Sequence, residues 1–267
     1  MEITMWKKIL MPYEQAVEEL TGKFRQMVNQ YERLGLYSPI ERVEGRVKTL
    51  SSILEKCQKK GIEAEDAPEH IEDIAGIRLI VQFVEDIPRV VEIIRGRTDM
   101  EVLSEDDYVL GMKESGYRSY HIVVSYAVET ILGPQRVQAE IQIRTMAMNF
   151  WATLEHSLQY KYEGNVPENI RLRLRGAADA LLAMDSEMSS IRDEVMDAQR
   201  FFSEKANVVY DILNNIQSLY ETENKEAMAN IQNEFYELYK TADLPRLHEF
   251  NTKLDAIAAR KKRQDLS

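Results

Sequence analysis

Three segments between residues 71 and 145 alternate apolar and polar side chains, and this alternation constrains the fold more than any other feature. The segments are GIRLIVQFV, YRSYHIVVSY and VQAEIQIRT. Successive side chains of a β-strand point to opposite faces, so each segment is predicted to be a strand with one apolar face. The helical segment IPRVVEIIRGR separates the first two, and Gly133-Pro134 predicts a turn that joins the last two as an antiparallel hairpin. Strands interleaved with helices predict a mixed α/β sheet.

Amphipathic helices are predicted before the first strand. The apolar residues recur at three- and four-residue spacing over 12–34, with Pro12 in the first turn. A second helix is predicted over 49–60, because Gly61 is a common residue just past a helix end.

The chain is predicted to be helical after the third strand. One helix runs to a break at Gly164-Asn165, and Pro167 can begin a long helix that ends near Phe202. Two or three shorter amphipathic helices are predicted beyond it, with an apolar pattern typical of packed structure. The long helix is expected to bury one apolar face, formed by Leu174, Ala178, Leu181, Met188, Ile191, Val195 and Phe202.

Composition excludes several classes of protein. The 267 residues include 45 acidic and 34 basic residues, for a formal net charge of -11, which argues against a dedicated nucleic-acid-binding domain. The single cysteine, Cys57, excludes an internal disulfide framework and favours a reducing, cytoplasmic compartment. The start of the chain lacks the features of a signal peptide, and no apolar run is long enough to span a membrane.

The polar faces of the predicted strands carry groups that bind ligands or titrate. They comprise Arg78 and Gln82 in the first strand, Tyr117, Ser119 and His121 in the second, and Glu140, Gln142 and Arg144 in the third. For any one strand the alternative is a solvated face of a sheet that packs against helices on its other side. Solvated faces mix Lys, Glu and Thr freely, so the three strands together favour a binding face.

Two acids and a group of cations extend this face. Asp73 precedes the first strand and Glu140 lies within the third, and two carboxylates on neighbouring strands can form a Mg²⁺ site. The alternative is an ordinary turn aspartate and a solvated glutamate. The cations, which form either a polyphosphate pocket or a solvated helix face, are Arg46, Lys48, Lys56, Lys59 and Arg78.

Common nucleotide and metal motifs are absent. The sequence contains neither GxxxxGK[ST] nor GxGxxG, and its four histidines have no metal-ligand spacing. Nucleotide binding, if present, must therefore use another arrangement of residues.

The ordered set GRVK, DIAGIR, KESGYRSYH and EIQIRTMAMNFWATLEHSLQYKY closely resembles the small alarmone synthetases of the RelA/SpoT-homologue superfamily, specifically the RelQ-like group. The resemblance runs from about Trp6 to Phe202. It implies an α/β (α+β) synthetase domain of nucleotidyltransferase-like type over 1–202 and leaves 203–267 as a helical extension. Members of the family transfer the β,γ-pyrophosphate of ATP to the ribose 3′-hydroxyl of GDP or GTP, which makes ppGpp or pppGpp.

The resemblance also implies roles for individual residues. The ATP-binding residues would be Arg46, Lys48, Lys56, Lys59 and Arg78. The residues that hold the guanine nucleotide would be Lys113, Tyr117, His121, Gln142 and Asn149, with Tyr117 stacked on the base. Asp73 would bind Mg²⁺, and Glu140 would lie beside the 3′-hydroxyl as general base or second metal contact.

The sequence departs from the family pattern at several positions. Asp106 stands just before the DY of the second strand region, where relatives often carry a basic residue, so one nucleotide contact is expected to be missing. Tetrameric RelQ-like relatives bind pppGpp in a central cleft, which implies a homo-oligomer, but an acid and a lost aromatic residue are expected to weaken that site here. The matching positions are Thr21, Arg25, Arg42 and Glu44.

The resemblance implies a synthetase without a hydrolase, since no histidine is followed by aspartate as in the HD-type hydrolase motif. Two alternatives stay open: a catalytically silent nucleotide-binding scaffold and an RNA-binding regulator with the same fold. The sequence does not indicate whether GMP, GDP or GTP is the preferred acceptor, or what the extension does.

Overall fold

The computed structural model describes residues 2–161, 166–220, 225–241 and 243–264. Its strands are β1 (Arg42–Val47), β2 (Ala75–Val81), β3 (Met100–Asp107), β4 (Tyr120–Thr130) and β5 (Gly133–Thr145). Its α-helices are α1 (Glu2–Arg33), α2 (Leu50–Lys60), α3 (Ala67–His70), α4 (Asp86–Arg95), α5 (Met146–Lys161), α6 (Glu168–Leu219), α7 (Lys225–Thr241) and α8 (Leu244–Gln264).

The strands form one five-stranded sheet in the order β1-β2-β5-β4-β3. β2 and β5 are parallel, and the other neighbouring pairs are antiparallel. The mixed α/β sheet predicted from the sequence is therefore confirmed. The hairpin between β4 and β5 is also present, and Gly133 at its turn has φ of 100°, a backbone conformation that favours glycine.

The apolar face of the sheet forms the core of the fold. Ile77, Leu79, Ile141 and Ile143 are at most 1% exposed and belong to one cluster with buried side chains of α1, α2 and α4. Burying each such side chain contributes about 1.5–3 kcal/mol. Because side chains alternate along each strand, this packing directs the polar residues to the opposite face.

The sequence pattern missed both edge strands. β1 lies within YSPIERVEGRVK, a segment whose Pro39 and Gly45 indicate an interruption between two helices. β3 lies within DMEVLSEDDY. An edge strand pairs on one side only and carries charged residues that discourage further pairing, so its apolar alternation is weak. Val43 is the one buried residue of β1.

The predicted start of the first helix was wrong. α1 begins at Glu2, and Pro12 lies inside the helix instead of in its first turn. An internal proline costs a helix about 3 kcal/mol, because it removes a hydrogen bond and clashes with the preceding turn. Burial of Trp6, on the N-terminal side of Pro12, and Tyr13 in the core offsets that cost.

Gly45 lets α1 pack closely on β1. A Cβ atom at this position would lie 2.3 Å from Thr21 Oγ1 and 2.8 Å from Val17 Cγ1, both on α1. These distances are too short for real atoms, so no larger residue fits without a shift of the helix. The close approach holds β1, and with it Arg46, at the edge of the sheet.

The described chain divides into two compact units, Met1–Ser190 and Ile191–Ser267. The division falls within α6, which continues to Leu219 beyond the predicted end near Phe202. The domain boundary between residues 202 and 203 remains a prediction. The predicted helix break at Gly164-Asn165 lies outside the described residues.

The second unit has its own apolar core. It contains side chains from the C-terminal part of α6, from α7 and from α8: Val208, Ile212, Ile216, Leu219, Met228, Leu247, Phe250 and Leu254. The C-terminal segment is therefore packed structure, as its apolar pattern predicts.

Burial of the long helix differs from the prediction. Ala178 is buried, but Met188, Ile191, Val195 and Phe202 are 43–68% exposed. The apolar period of a helix predicts a partner for that face, and no described part of this chain covers these four side chains. Across the described ranges, no helix has the length and apolar character needed to cross a membrane.

Candidate active site

The register of the sheet aligns polar residues from four strands in one row. Glu44 pairs with Arg78, Arg78 pairs with Gln142, and Gln142 pairs with His121. Neighbouring strands lie about 4.8 Å apart, so paired residues are adjacent on the same face. The row brings Arg78, predicted to bind ATP, next to residues predicted to bind the guanine nucleotide.

A cavity of about 140 Å³ opens on this face of the sheet. Its charged and amide side chains are Glu44, Arg46, Asp73, Arg78, Glu140 and Gln142. The two carboxylates singled out from the sequence therefore share one cavity with both of the predicted ATP-binding arginines.

Asp73 is held between two lysines. Lys48 Nζ lies 2.7 Å from Asp73 Oδ2, and Lys56 Nζ lies 2.8 Å from Asp73 Oδ1. Burial raises the pKa of Asp73, but the hydrogen bonds and charges of both lysines outweigh this effect and place the pKa below its usual value. Thr49 caps the N-terminus of α2 and Gly61 ends the helix in the left-handed conformation, which fixes the helix that carries Lys56.

The other predicted ATP-binding residues differ in their surroundings. Arg78 Nη1 lies 3.4 Å from Glu44 Oε2, and its Nε is buried without a hydrogen-bond partner in the described chain. Arg46 is exposed and lines the cavity. Lys59 is exposed and is not among the residues that line the cavity, so its role remains a prediction from the resemblance.

Glu140 is a partly buried carboxylate that two side chains hold in place. His121 Nδ1 lies 2.9 Å from Glu140 Oε1, and Gln142 Nε2 donates to Glu140 Oε2 at 2.6 Å. Burial raises the pKa of Glu140, but the hydrogen bonds from His121 and Gln142 and the attraction of His121 more than offset it. The net pKa is below the usual value, so Glu140 is ionised at neutral pH.

Tyr117 continues this arrangement toward the predicted guanine site. Its hydroxyl lies 2.9 Å from His121 Nε2, and the two rings meet edge to face. Lys113 Nζ lies 5.3 Å from the centre of the Tyr117 ring. Asn149 lies on α5, and its side-chain oxygen is buried without a hydrogen-bond partner in the described chain. A buried, unpaired polar atom of this kind is suited to a ligand.

Gly116 allows the backbone to turn just before Tyr117. It has φ of 93°, and an added Cβ atom would lie 2.9 Å from Ala178 Cβ and 3.2 Å from Arg175 Cα. Both the backbone conformation and the close approach of α6 therefore require glycine.

Three residues of the site were not assigned from the sequence. Tyr108 meets the rings of Tyr117 and His121 edge to face, and Lys113 Nζ lies 4.3 Å from its ring centre. The Arg144 guanidinium lies 5.0 Å from the centre of the Tyr117 ring and donates to Ser119 Oγ. Strand alternation predicted both on the site face, although Ser119 precedes β4, which begins at Tyr120 and not at Tyr117 as predicted. Tyr108, directly after β3, gave no signal because that strand was not recognised.

The site fits a divalent cation bound together with a polyphosphate. The described residues include no cluster of three or more His, Cys, Asp or Glu that could hold a metal alone. Mg²⁺ commonly uses one or two carboxylates and takes its other ligands from phosphates and water. Asp73 and Glu140, in the same cavity as Arg78, provide that donor set.

The fold and the site together define a class of protein. A mixed sheet presents a cavity lined by cations and by a partly buried, ionised carboxylate, and that carboxylate is hydrogen-bonded to His121, which contacts Tyr117. This arrangement is typical of enzymes that transfer a phosphate-containing group from a nucleotide to a hydroxyl acceptor.

Comparison with known proteins identifies the family within that class. The sequence profile of the "Region found in RelA / SpoT proteins" matches residues 45–165. The GTP pyrophosphokinase YjbM of Bacillus subtilis is 51% identical over 205 residues, which cover 77% of this chain and 97% of the relative. The GTP pyrophosphokinase YwaC of the same organism is 38% identical over 192 residues, which cover 71% of this chain and 91% of the relative.

The structures agree. The small alarmone synthetase 1 of Bacillus subtilis, solved bound to its product pppGpp, is 51% identical with a TM-score of 0.69. The match covers 72% of this chain and 98% of that one. The chain therefore belongs to the RelA/SpoT family, and the fold and the family predicted from its sequence are confirmed.

Proposed function

We propose that this chain is a GTP pyrophosphokinase that synthesises (p)ppGpp. It transfers the β,γ-pyrophosphate of ATP to the 3′-hydroxyl of GDP or GTP, with GMP as a further candidate acceptor, and releases AMP. The observation that carries the proposal is the position of Glu140, which lines the cation-rich cavity and is bonded to His121 and Gln142. The names of the 51% and 38% identical relatives support the same activity.

The donor nucleotide would bind along β1, α2 and β2. Lys48 and Lys56 hold point charges for the phosphates, and Arg46 and Arg78 offer planar guanidinium groups for contact with the adenine. Binding redistributes charge, because both lysines are paired with Asp73 and Arg78 is paired with Glu44. Asp73 and Glu140 would hold Mg²⁺, which when bound neutralises phosphate charge.

The acceptor nucleotide would bind against Tyr117. Its ring provides a face for the guanine, and Lys113, His121, Gln142 and Asn149 provide polar contacts. Glu140 then takes the proton of the 3′-hydroxyl, the resulting oxygen attacks the β-phosphorus of ATP, and the bond to the AMP oxygen breaks. The protein's main contributions are to position the two nucleotides and to stabilise charge.

The active form is proposed to be a homo-oligomer, a tetramer by family resemblance, that works in the cytoplasm. Within the second unit, Ile191, Val195 and Phe202 recur at helical spacing on one face of α6 and are 43–68% exposed. An exposed apolar stripe of this kind favours contact with another subunit. The activity is proposed to be synthesis without hydrolysis.

A direct assay tests the function. The purified protein is incubated with ATP, Mg²⁺ and each of GMP, GDP and GTP, and the products are separated by anion-exchange chromatography. We expect AMP and a 3′-pyrophosphorylated guanosine nucleotide in equal amounts from at least one acceptor. Nucleotide binding without AMP release would support the scaffold alternative, and RNA binding without either would support the regulator.

A further inference from the structure

Arg144 is a buried cation whose role the proposed reaction does not explain. It is 5% exposed, and burial lowers the pKa of its guanidinium. In the part of the chain that the structure describes, no carboxylate lies within salt-bridge distance of it. A buried charge without such a partner is costly unless other groups compensate it, so its surroundings require an explanation.

The first compensating path runs through Gln142. Arg144 Nη2 donates to Gln142 Oε1 at 2.7 Å, and Gln142 Nε2 donates to Glu140 Oε2 at 2.6 Å. One amide side chain therefore connects the buried cation to one oxygen of the proposed base.

The second path runs through Tyr117 and His121. Arg144 Nη2 donates to the Tyr117 hydroxyl, which lies 2.9 Å from His121 Nε2, and His121 Nδ1 lies 2.9 Å from Glu140 Oε1. The two paths together form a closed ring of five side chains. Both oxygens of Glu140 are thus tied to one guanidinium group.

The chemistry of Arg144 and Glu140 sets the direction of every hydrogen bond in the ring. Arginine can only donate, and an ionised carboxylate can only accept. Gln142 must therefore direct its oxygen toward Arg144 and its amino group toward Glu140. When His121 is neutral, its proton must lie on Nδ1, where it is donated to Glu140. A proton on Nε2 would leave a lone pair on Nδ1 facing the carboxylate. That Nε2 proton would also face the hydroxyl proton of Tyr117.

Contacts outside the two paths also hold the Arg144 side chain in place. Its Nε donates to Ser119 Oγ at 3.2 Å, and Ser119 is fully buried and bonded to the Ile143 carbonyl at 3.3 Å. The guanidinium carbon lies 5.0 Å from the centre of the Tyr117 ring. The same group therefore supports the aromatic wall and, through the two paths, the carboxylate.

We propose that Arg144 is a positioning residue that holds Tyr117 and both oxygens of Glu140 in one fixed arrangement. Its charge and that of Glu140 compensate each other through the ring, although the two groups do not touch. The expected effect on turnover depends on the proposed pyrophosphokinase function, whereas the expected effects on stability and on the His121 tautomer do not.

Kinetics of two variants test the positioning role. We expect Arg144→Met to lower kcat on the order of 100-fold, because small displacements of reacting groups are costly. Arg144→Lys keeps the charge but loses the forked geometry, so its kcat should fall roughly tenfold. The KM for ATP should change by less than about threefold in both, because Arg144 bonds to Tyr117, Ser119 and Gln142 and to none of the cations proposed to bind ATP. Arg136→Met, at an exposed position of the same strand, is the control and should leave kcat unchanged.

Two outcomes of that experiment would overturn the proposal. One is a folded Arg144→Met variant with kcat close to that of the unchanged protein. The other is an equal loss in ATP binding, which would indicate general distortion of the sheet instead of displacement of the acceptor wall and base.

Measurements without turnover test the ring itself. The loss of melting temperature in the double variant Arg144→Met/Glu140→Gln should be smaller than the sum of the two single losses, because each single change leaves one buried charge uncompensated. Additive losses would contradict the coupling. In the unchanged protein, ¹⁵N chemical shifts should place the proton of neutral His121 on Nδ1, and a proton on Nε2 would contradict the direction of the ring even if the variants failed to fold.

Discussion

The charged residues of the candidate site pair with one another, and the proposed nucleotide binding would have to exchange these pairs. Asp73 pairs with Lys48 and Lys56, and Glu44 pairs with Arg78. A polyphosphate that binds here gains the cations only as their carboxylate partners release them. We therefore expect the affinity of the proposed donor site to reflect an exchange of ion pairs and not the number of basic residues alone.

Glu44 provides a test of this exchange. Its carboxylate is 3.4 Å from Arg78 and lines the donor cavity, so Glu44→Gln should free Arg78 and remove a negative charge from the phosphate site. An exposed ion pair is worth about 0.2–1 kcal/mol, which predicts a gain in ATP affinity of up to about fivefold. Calorimetric titration with a non-hydrolysable ATP analogue measures the gain.

Glu41→Gln is the matched control for that measurement. Glu41 is an exposed acid near the same edge of the sheet and accepts a hydrogen bond from Gln82, outside the donor cavity. Competition between Glu44 and the nucleotide for Arg78 would be contradicted by either of two results. One is ATP-analogue binding by Glu44→Gln that is unchanged or weaker, and the other is an equal gain in affinity in both variants.

At this scale, strand alternation was an effective guide to the site. It placed His121, Glu140 and Gln142 on one face, and the structure brings their side chains into contact. The partners of the lysines could not be predicted, because Asp73 and Lys56 lie 17 residues apart and meet only through the fold.

Among the elements, the segment that joins β3 to β4 depends on a single backbone conformation. Gly116 has φ of 93° and lies against α6, so Gly116→Ala introduces both backbone strain and a clash. We expect the variant to lose about 1–3 kcal/mol of unfolding free energy, and the acceptor KM to rise because Tyr117 is displaced. Thermal and urea unfolding measure the first effect, and initial rates measure the second.

Gly176→Ala serves as the control for that loss. Gly176 lies on α6, and a Cβ atom there would meet nothing within 4 Å. Alanine favours a helix over glycine by about 1 kcal/mol, so this variant should be equally stable or more stable. A Gly116→Ala variant as stable as the unchanged protein would show that the turn tolerates a side chain.

The elements that the sequence predicted well are those with strong periodicity on a buried face. β2, β4, β5, α2 and α4 all have this pattern. The edge strands β1 and β3 and the first turns of α1 lack it, because tertiary contacts with the rest of the sheet and core hold them in place.

For the whole molecule, the positions that match the pppGpp cleft implied by the family resemblance provide a further prediction. Thr21 is 7% exposed and packs against Gly45, while Arg42 and Glu44 pair with each other at 3.3 Å. An acid at this place opposes a highly anionic effector, so we expect pppGpp to stimulate the enzyme weakly or not at all. Initial rates with and without added pppGpp test this, and activation of several-fold would refute it.

The helical nature of the C-terminal segment followed from its apolar period, but the course of α6 did not. The sequence contains no proline or glycine between Phe202 and Leu219 that would end the helix, and Val208, Ile212, Ile216 and Leu219 lie in the core of the second unit. One apolar face of α6 is exposed in the single chain. The apolar spacing in the sequence cannot distinguish such an exposed face from one that is buried in a core.

The central claim is that Glu140 acts on the 3′-hydroxyl of the acceptor, and its amide variant tests this most directly. Glu140→Gln keeps the shape of the side chain but cannot accept the proton. The measurement is ppGpp formation from ATP and GDP, with binding of both nucleotides determined in parallel. We predict largely intact binding and the loss of most turnover, on the order of 100-fold or more. Formation of ppGpp at close to the original rate would contradict the assignment.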